Sequence, residues 1–254
     1  MQARGGPASR QLIRRRRSEG SVPDSVLFQV LRLVGSGVCH QLPERSLYVA
    51  GIALPLCARC TGTYLGSVLG LALVALRGRA RASLLPRWPL LVLFAAFFLV
   101  WVIDGLNSFL TLLPGLPHLY EPRNALRLLT GTLEGLALSL TLWPIVAFTL
   151  CKEPRAERVV GPVEFALLLA VALGGVAALT RGWPGPLLVA AGLSLAGLVA
   201  MFTVLNALLL TVLLHREGTI AGRRQALSLV AVALSLSGLE LAALAILRRL
   251  VLGI

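Results

Sequence analysis

Charge is scarce in this chain of 254 residues. Only 14% of them are Asp, Glu, Lys or Arg, against about 25% in an ordinary soluble domain. That shortage, with a hydrophobic fraction of 57% and a mean hydropathy of +0.83, argues against a water-soluble domain. Acid is scarcer still: 11 Asp and Glu face 24 Lys and Arg, a net charge of +13. Aromatics are few at 6%, and no basic groove interleaved with rings can be read, which sets nucleic acid aside as a partner. The arginines stand between apolar runs, as they do in membrane loops. No HExxH, P-loop or dinucleotide-binding glycine motif is present, which argues against zincin proteases and soluble-type nucleotide enzymes. A secretory signal is not expected either. The stretch VLFQVLRLVGSGV contains Arg32 and lacks a small-residue cleavage site before Cys39.

What remains are long apolar runs, and about 20 such residues suffice for a lipid-crossing helix. The runs predict spans over about 57–76, 88–110, 124–150, 163–179, 186–214 and 225–247. Backbone polar groups in lipid need internal partners, so the expectation is helical throughout. The predicted fold is an all-α, polytopic transmembrane helical bundle of about six spans plus a short N-terminal helix within 22–38, interfacial or partly inserted. Residues 1–20, with Arg4, Arg10 and Arg14 to Arg17, read as a disordered basic tail facing anionic headgroups. Residues 21–254 read as one membrane domain in the cell membrane, with membrane lipids as its surroundings.

The linkers 77–87, 151–158 and 216–224 hold four, three and three Lys or Arg. They share one side if six spans alternate, and their charge points to the cytoplasm. The Cys/His stretch 39–60 then lies at the opposite face. The six arginines of the tail point to the cytoplasm too, and both expectations are met only if 22–38 crosses the bilayer. Gly62, Gly66 and Gly70 recur every fourth residue in the first span and predict a smooth stripe for close helix packing.

The stretch CHQLPERSLYVAGIALPLCARCTGTYLG holds three of the four cysteines and one of the three histidines. A Cys-x2-Cys pair, Cys57 and Cys60, is answered by Cys39 and His40, giving four soft ligands of the kind that tetrahedral zinc takes. With four positions filled the expected site is structural, stapling residues 39–60 to the first span; a catalytic site with one open position is the alternative. Neighbouring residues point apart on regular backbone, so Cys39 and His40 need an irregular loop, which Pro43 and Pro55 favour. The same residues fit two other readings. One is a redox dithiol at Cys57 and Cys60 with Cys39 as partner, its thiolates favoured by the helix N-terminus and Arg59. The other is plain apolar packing. Cys151 lies apart and is given no role.

The strings CHQLPERS, PLCARCTGTYLG and NALRLLTG resemble the signature of the prokaryotic DUF2085 family of predicted membrane proteins, over about residues 35–140. The resemblance implies a membrane location and marks positions without supplying a chemistry. In the motifs these are Cys39, His40, Gln41, Pro43, Arg45, Ser46, Cys57, Arg59, Cys60, Gly62, Tyr64 and Gly66. Further along are Asp104, Asn124, Arg127 and Gly131. The last three spans lie outside it.

Polar residues inside spans are functional candidates by default. Asp104 and Asn107 share one face of the second span; Asn124, Arg127, Gly131 and Glu134 share one face of the third. The expected pair is Asp104 with Arg127, and Asn206 and Glu240 are expected to join the same interior cluster. Asp104, Arg127 and Arg45 are the candidate catalytic residues, with Asp104 accepting a proton and the arginines gripping an anionic group. The bland alternative is a polar clamp between helices. The leading functional expectation is a membrane enzyme with a Cys39, His40, Cys57, Cys60 zinc site, acting on a lipid or phosphate-bearing small molecule. A thiol–quinone oxidoreductase and a small-solute transporter are the alternatives.

Overall fold

A computed structural model describes residues 26–49, 51–113 and 115–252; the basic tail expected at 1–20 lies outside them. Among the described residues there are seven α-helices: α1 (Val26–Ser36), α2 (Ala58–Leu76), α3 (Trp88–Leu110), α4 (Asn124–Leu150), α5 (Pro162–Thr180), α6 (Pro184–Leu213) and α7 (Arg223–Leu252). Helices α2 to α7 are each long and apolar enough to cross a membrane. The chain is a multi-pass membrane protein with an all-α bundle, as its hydropathy predicts. At 1.5 Å per residue, the 11 residues of α1 reach about 16 Å, well short of the ~30 Å hydrocarbon core.

The bundle is built around α4, whose face from Arg127 to Leu150 is the most buried of the six. Its closest neighbour is α2, and glycine makes that closeness possible. A Cβ on Gly62 would stand 2.3 Å from the Leu128 carbonyl oxygen, and one on Gly66 2.2 Å from that of Thr132. From the other side, Cβ atoms on Gly131 and Gly135 would meet the carbonyl oxygens of Arg59 and Thr63 at 2.3 and 1.9 Å. The predicted stripe is therefore half of a two-sided seam, backbone against backbone. Helix α6 closes on the opposite side of α2, with Gly197 over the Tyr64 carbonyl.

The expectation of helix throughout fails at two places. Strands β1 (Ser46–Val49) and β2 (Ile52–Cys57) form an antiparallel hairpin that turns through Gly51 at φ +82°. Strands β3 (Ala82–Leu84) and β4 (Arg155–Arg158) form a parallel pair. All four lie outside the crossing helices, where short ladders satisfy the backbone locally and hydropathy carries no signal for them.

The β3–β4 pair also ties linkers together. Residue Arg155 donates its amide to the Arg81 carbonyl at 2.7 Å, and Lys152 donates to that of Ile220 at 2.9 Å. Arg79 bridges Glu157 and Glu164, and Glu164 holds the Arg79 guanidinium pKa above its ordinary value. Linkers 77–87, 151–158 and 216–224 thus gather at one end of the bundle. The hairpin, residues 115–123 and the C-terminal turns of α7 gather at the other.

Candidate metal and anion site at the hairpin end

The hairpin register sets the cysteines. Pairing of Ser46 with Cys57 brings the end of β2 back beside the chain leaving α1, and Cys57 is also the N-cap of α2. One turn into that helix stands Cys60. The turn after α1 brings Cys39 inward, where its sulfur accepts the Cys57 amide at 3.1 Å. Gly35 and Gly37 let this turn press on the Pro55 and Leu241 carbonyls, at 2.8 and 2.9 Å from their would-be Cβ atoms. The result is one sulfur each from Cys39, Cys57 and Cys60, all within 4.8 Å of one another. The sulfur of Cys39, then that of Cys60, favours a thiolate at Cys57 and holds it well below the ordinary thiol range. Cys39 is pushed up to about 11, chiefly by the sulfur of Cys57.

The fold does not bring His40 to the sulfurs. Its side chain is exposed, and its carbonyl accepts from Arg248 at 2.7 Å. The left-handed backbone of Gln41, φ +53°, turns the chain just after it, and Gln41 anchors to the Arg32 and Pro55 carbonyls, both at 2.7 Å. Consecutive side chains diverge, so a buried Cys39 leaves its neighbour outside. Cys151 is remote, at the linker end, bridged to Ile220.

Beside the sulfurs lies a second cluster. Asp104 sits in the last two turns of α3 and is 1% exposed. Its ion-pair partner is Arg59, not the expected Arg127. It also accepts from Tyr120 at 2.7 Å and from Thr130 at 3.3 Å. Burial, then the carboxylate at its hydroxyl, pushes the Tyr120 phenol up to about 12. Arg127 instead donates to the Ser108 hydroxyl at 3.3 Å and to Asn124 at 3.0 Å. Arg45 reaches the Ser108 carbonyl at 2.7 Å, and Arg59 the Ser108 hydroxyl at 3.0 Å. Three guanidiniums therefore converge on one serine with a single carboxylate among them.

The surrounding loops are fixed to this cluster. Asn107 accepts the Leu119 amide at 2.7 Å and donates to the Tyr120 carbonyl at 2.9 Å. Asn124 donates to the Glu44 and Ser46 carbonyls at 3.2 and 3.1 Å. Asn206 and Glu240 do not join: they bond one another at 2.6 Å, between α6 and α7. Glu134, further along α4, is buried with one carboxylate oxygen lacking a partner among the described residues.

Sequence reasoning left four participants without their roles. Arg59 was visible as a charge beside thiols, Ser108 and Tyr120 carried no spacing signal, and Arg248 lies outside the recognised motifs. The guanidinium of Arg248 donates to the carbonyls of Ser36, Cys39 and His40, so the far end of the chain clamps the cysteine turn.

The sequence profile of a family described as "predicted membrane protein (DUF2085)" matches residues 39–141. An uncharacterized protein of Methanothermobacter thermautotrophicus is 35% identical over 106 residues, 41% of this chain and 82% of that one. An uncharacterized protein of Methanocaldococcus jannaschii is 28% identical over 116 residues, 45% of this chain and 67% of that one. No solved structure matches. The matched segment takes in the hairpin, the three cysteines, the α2–α4 seam and the Asp104 cluster, and the chain belongs to the DUF2085 family of predicted membrane proteins.

Proposed function

We propose that this is a cell-membrane metalloprotein that binds one zinc ion at Cys39, Cys57 and Cys60 and acts on an anionic, phosphate-bearing substrate held by Arg45, Arg59 and Arg127. The observation that carries the reading is the convergence of three sulfurs within 4.8 Å. A tetrahedral zinc with 2.3 Å bonds needs its sulfurs about 3.8 Å apart, so modest side-chain closure suffices and the donor set fits. With His40 turned outward the protein offers three ligands, the pattern of a site that keeps one position for water or substrate. Zinc bound this way supplies Lewis acidity or an activated water. The chain's own part is to bind and orient: guanidinium forks match phosphate or carboxylate oxygens, and three of them against one Asp104 leave positive charge to receive an anion. A thiol–disulfide function on the same sulfurs is the second reading, favoured by the stabilised Cys57 thiolate.

Elemental analysis separates the two. Purified wild type is expected to carry about one zinc per chain, and Cys39→Ser and Cys57→Ser to lose most of it. A metal-free wild type whose cysteines cycle between dithiol and disulfide would replace the zinc reading with the redox one.

Orientation follows from charge. The linker 77–87, the densest short-loop cluster of arginines, argues for a cytoplasmic linker end and for cysteines at the outer face; the six arginines of residues 1–20 vote the other way, since α1 is too short to cross. Ser46 is buried, so Glu44 and Arg87, both exposed, are the useful positions. In a Cys151→Ser background, a membrane-impermeant maleimide is expected to label Glu44→Cys in intact cells and Arg87→Cys only after lysis, above the parent's own labelling. The reverse pattern overturns the orientation, and labelling of both from one side contradicts the crossing of α2.

A further inference from the structure

We infer that the groove between α1 and the C-terminal turns of α7 binds an anionic phospholipid. Two adjoining cavities form it, of about 600 and 360 Å³, sharing Ser36, His40 and Arg248. The larger is lined by Arg32, Arg248, Arg249, His40 and Gln41, and none of its described lining residues is acidic. The smaller has an apolar wall of Val38, Leu244, Leu247 and Val251. A basic pocket opening onto an apolar wall is the complement of a phosphodiester joined to an acyl chain.

The place of the groove supports that occupant. Helix α7 has 30 residues, about 45 Å against a ~30 Å hydrocarbon core, so its basic end reaches headgroup level. The apolar wall faces outward, with Leu247 56% and Val251 71% exposed, where a lipid tail reaches it from the bilayer. Among the described residues, neither the Arg32 nor the Arg249 side chain has a hydrogen-bond or ion-pair partner, while Arg248 is occupied with the carbonyls of the cysteine turn. Two guanidiniums thus remain to receive a phosphate. The chain's own first 20 residues are basic and carry the wrong sign to fill the pocket. A lipid seated here braces α1 against α7 around Arg248, next to Cys39.

The test is native mass spectrometry of the full chain in neutral detergent, with phosphatidylglycerol or phosphatidylcholine of identical acyl chains. Phosphatidylglycerol is expected to stay bound and phosphatidylcholine to dissociate. Arg32→Gln with Arg249→Gln should weaken retention about tenfold or more, while Arg155→Gln with Arg181→Gln, removing equal charge elsewhere, leaves it unchanged. Arg249 is exposed, so Arg249→Glu alone gives a second reading with no burden on the fold. Equal retention of the two lipids, or no loss in the Arg32 and Arg249 variants, overturns the proposal. Displacement by millimolar glycerol phosphate overturns it in favour of a soluble anion.

Discussion

Asp104→Leu is expected to destabilise the protein in detergent by about 3–5 kcal/mol, the usual cost of orphaning one partner of a buried pair. The carboxylate is nearly inaccessible and receives Arg59, Tyr120 and Thr130. Without it, Arg59 keeps its place beside Arg45 and Arg127 around Ser108 with no opposing charge. Removing Arg59 as well relieves that conflict, so Asp104→Leu with Arg59→Met should cost clearly less than the two single losses together. The parallel double variant with Arg127→Met should recover less, because Arg127 is bonded to Asn124 and Ser108 rather than to the carboxylate. Denaturation midpoints of the five variants decide the matter. Strict additivity in both cycles removes the pairing altogether, and greater recovery with Arg127→Met assigns the pair to the wrong helix.

Gly135→Leu is expected to unfold the bundle or to cost more than the ~1–3 kcal/mol typical of an overpacked core. Even a Cβ at this position would lie 1.9 Å from the Thr63 carbonyl oxygen. That neighbour is helix backbone and cannot swing aside. Gly66→Leu, against the Thr132 carbonyl, should behave the same way from the other helix. Gly174→Ala and Gly175→Ala serve as the contrast. They meet nothing within 4 Å, so alanine there should be neutral or stabilising by up to about 1 kcal/mol through helix propensity. Thermal melts in one detergent give the comparison. If all four substitutions shift the midpoint alike, the glycines matter as composition and not as a seam.

Hydropathy located the six crossings because the bilayer imposes one length on all of them. The expected fourth and fifth spans, about 163–179 and 186–214, fall within two residues of the observed Pro162–Thr180 and Pro184–Leu213. The hairpin escaped notice because strands of four and six residues leave no such mark. The Asp104 cluster was half legible. Helical spacing showed which residues share a face of one helix, but not which face of which neighbour they meet. Arg127 was therefore the expected partner, and Arg59 stood out only as a charge beside the thiols. The cysteines were legible as a group because the Cys-x2-Cys spacing at a helix start already places two sulfurs together. His40 was the weak member, since adjacency to Cys39 sets the two side chains apart. The hold of Arg248 on residues 36–40 links positions more than 200 apart, and no local pattern encodes it.

The glycine seam has a mechanical consequence. With carbonyl oxygens resting where side chains would normally cushion the contact, α2 and α4 have no room to slide or rotate past one another, and the pair moves as a single strut. Such packing disfavours a rocking movement between these two helices. Compliance is left to the periphery, where Gly174, Gly175, Gly192 and Gly238 border open space. Motion of α7 would reach the cysteine turn through the guanidinium of Arg248 and through the close contact of Gly37 with the Leu241 backbone.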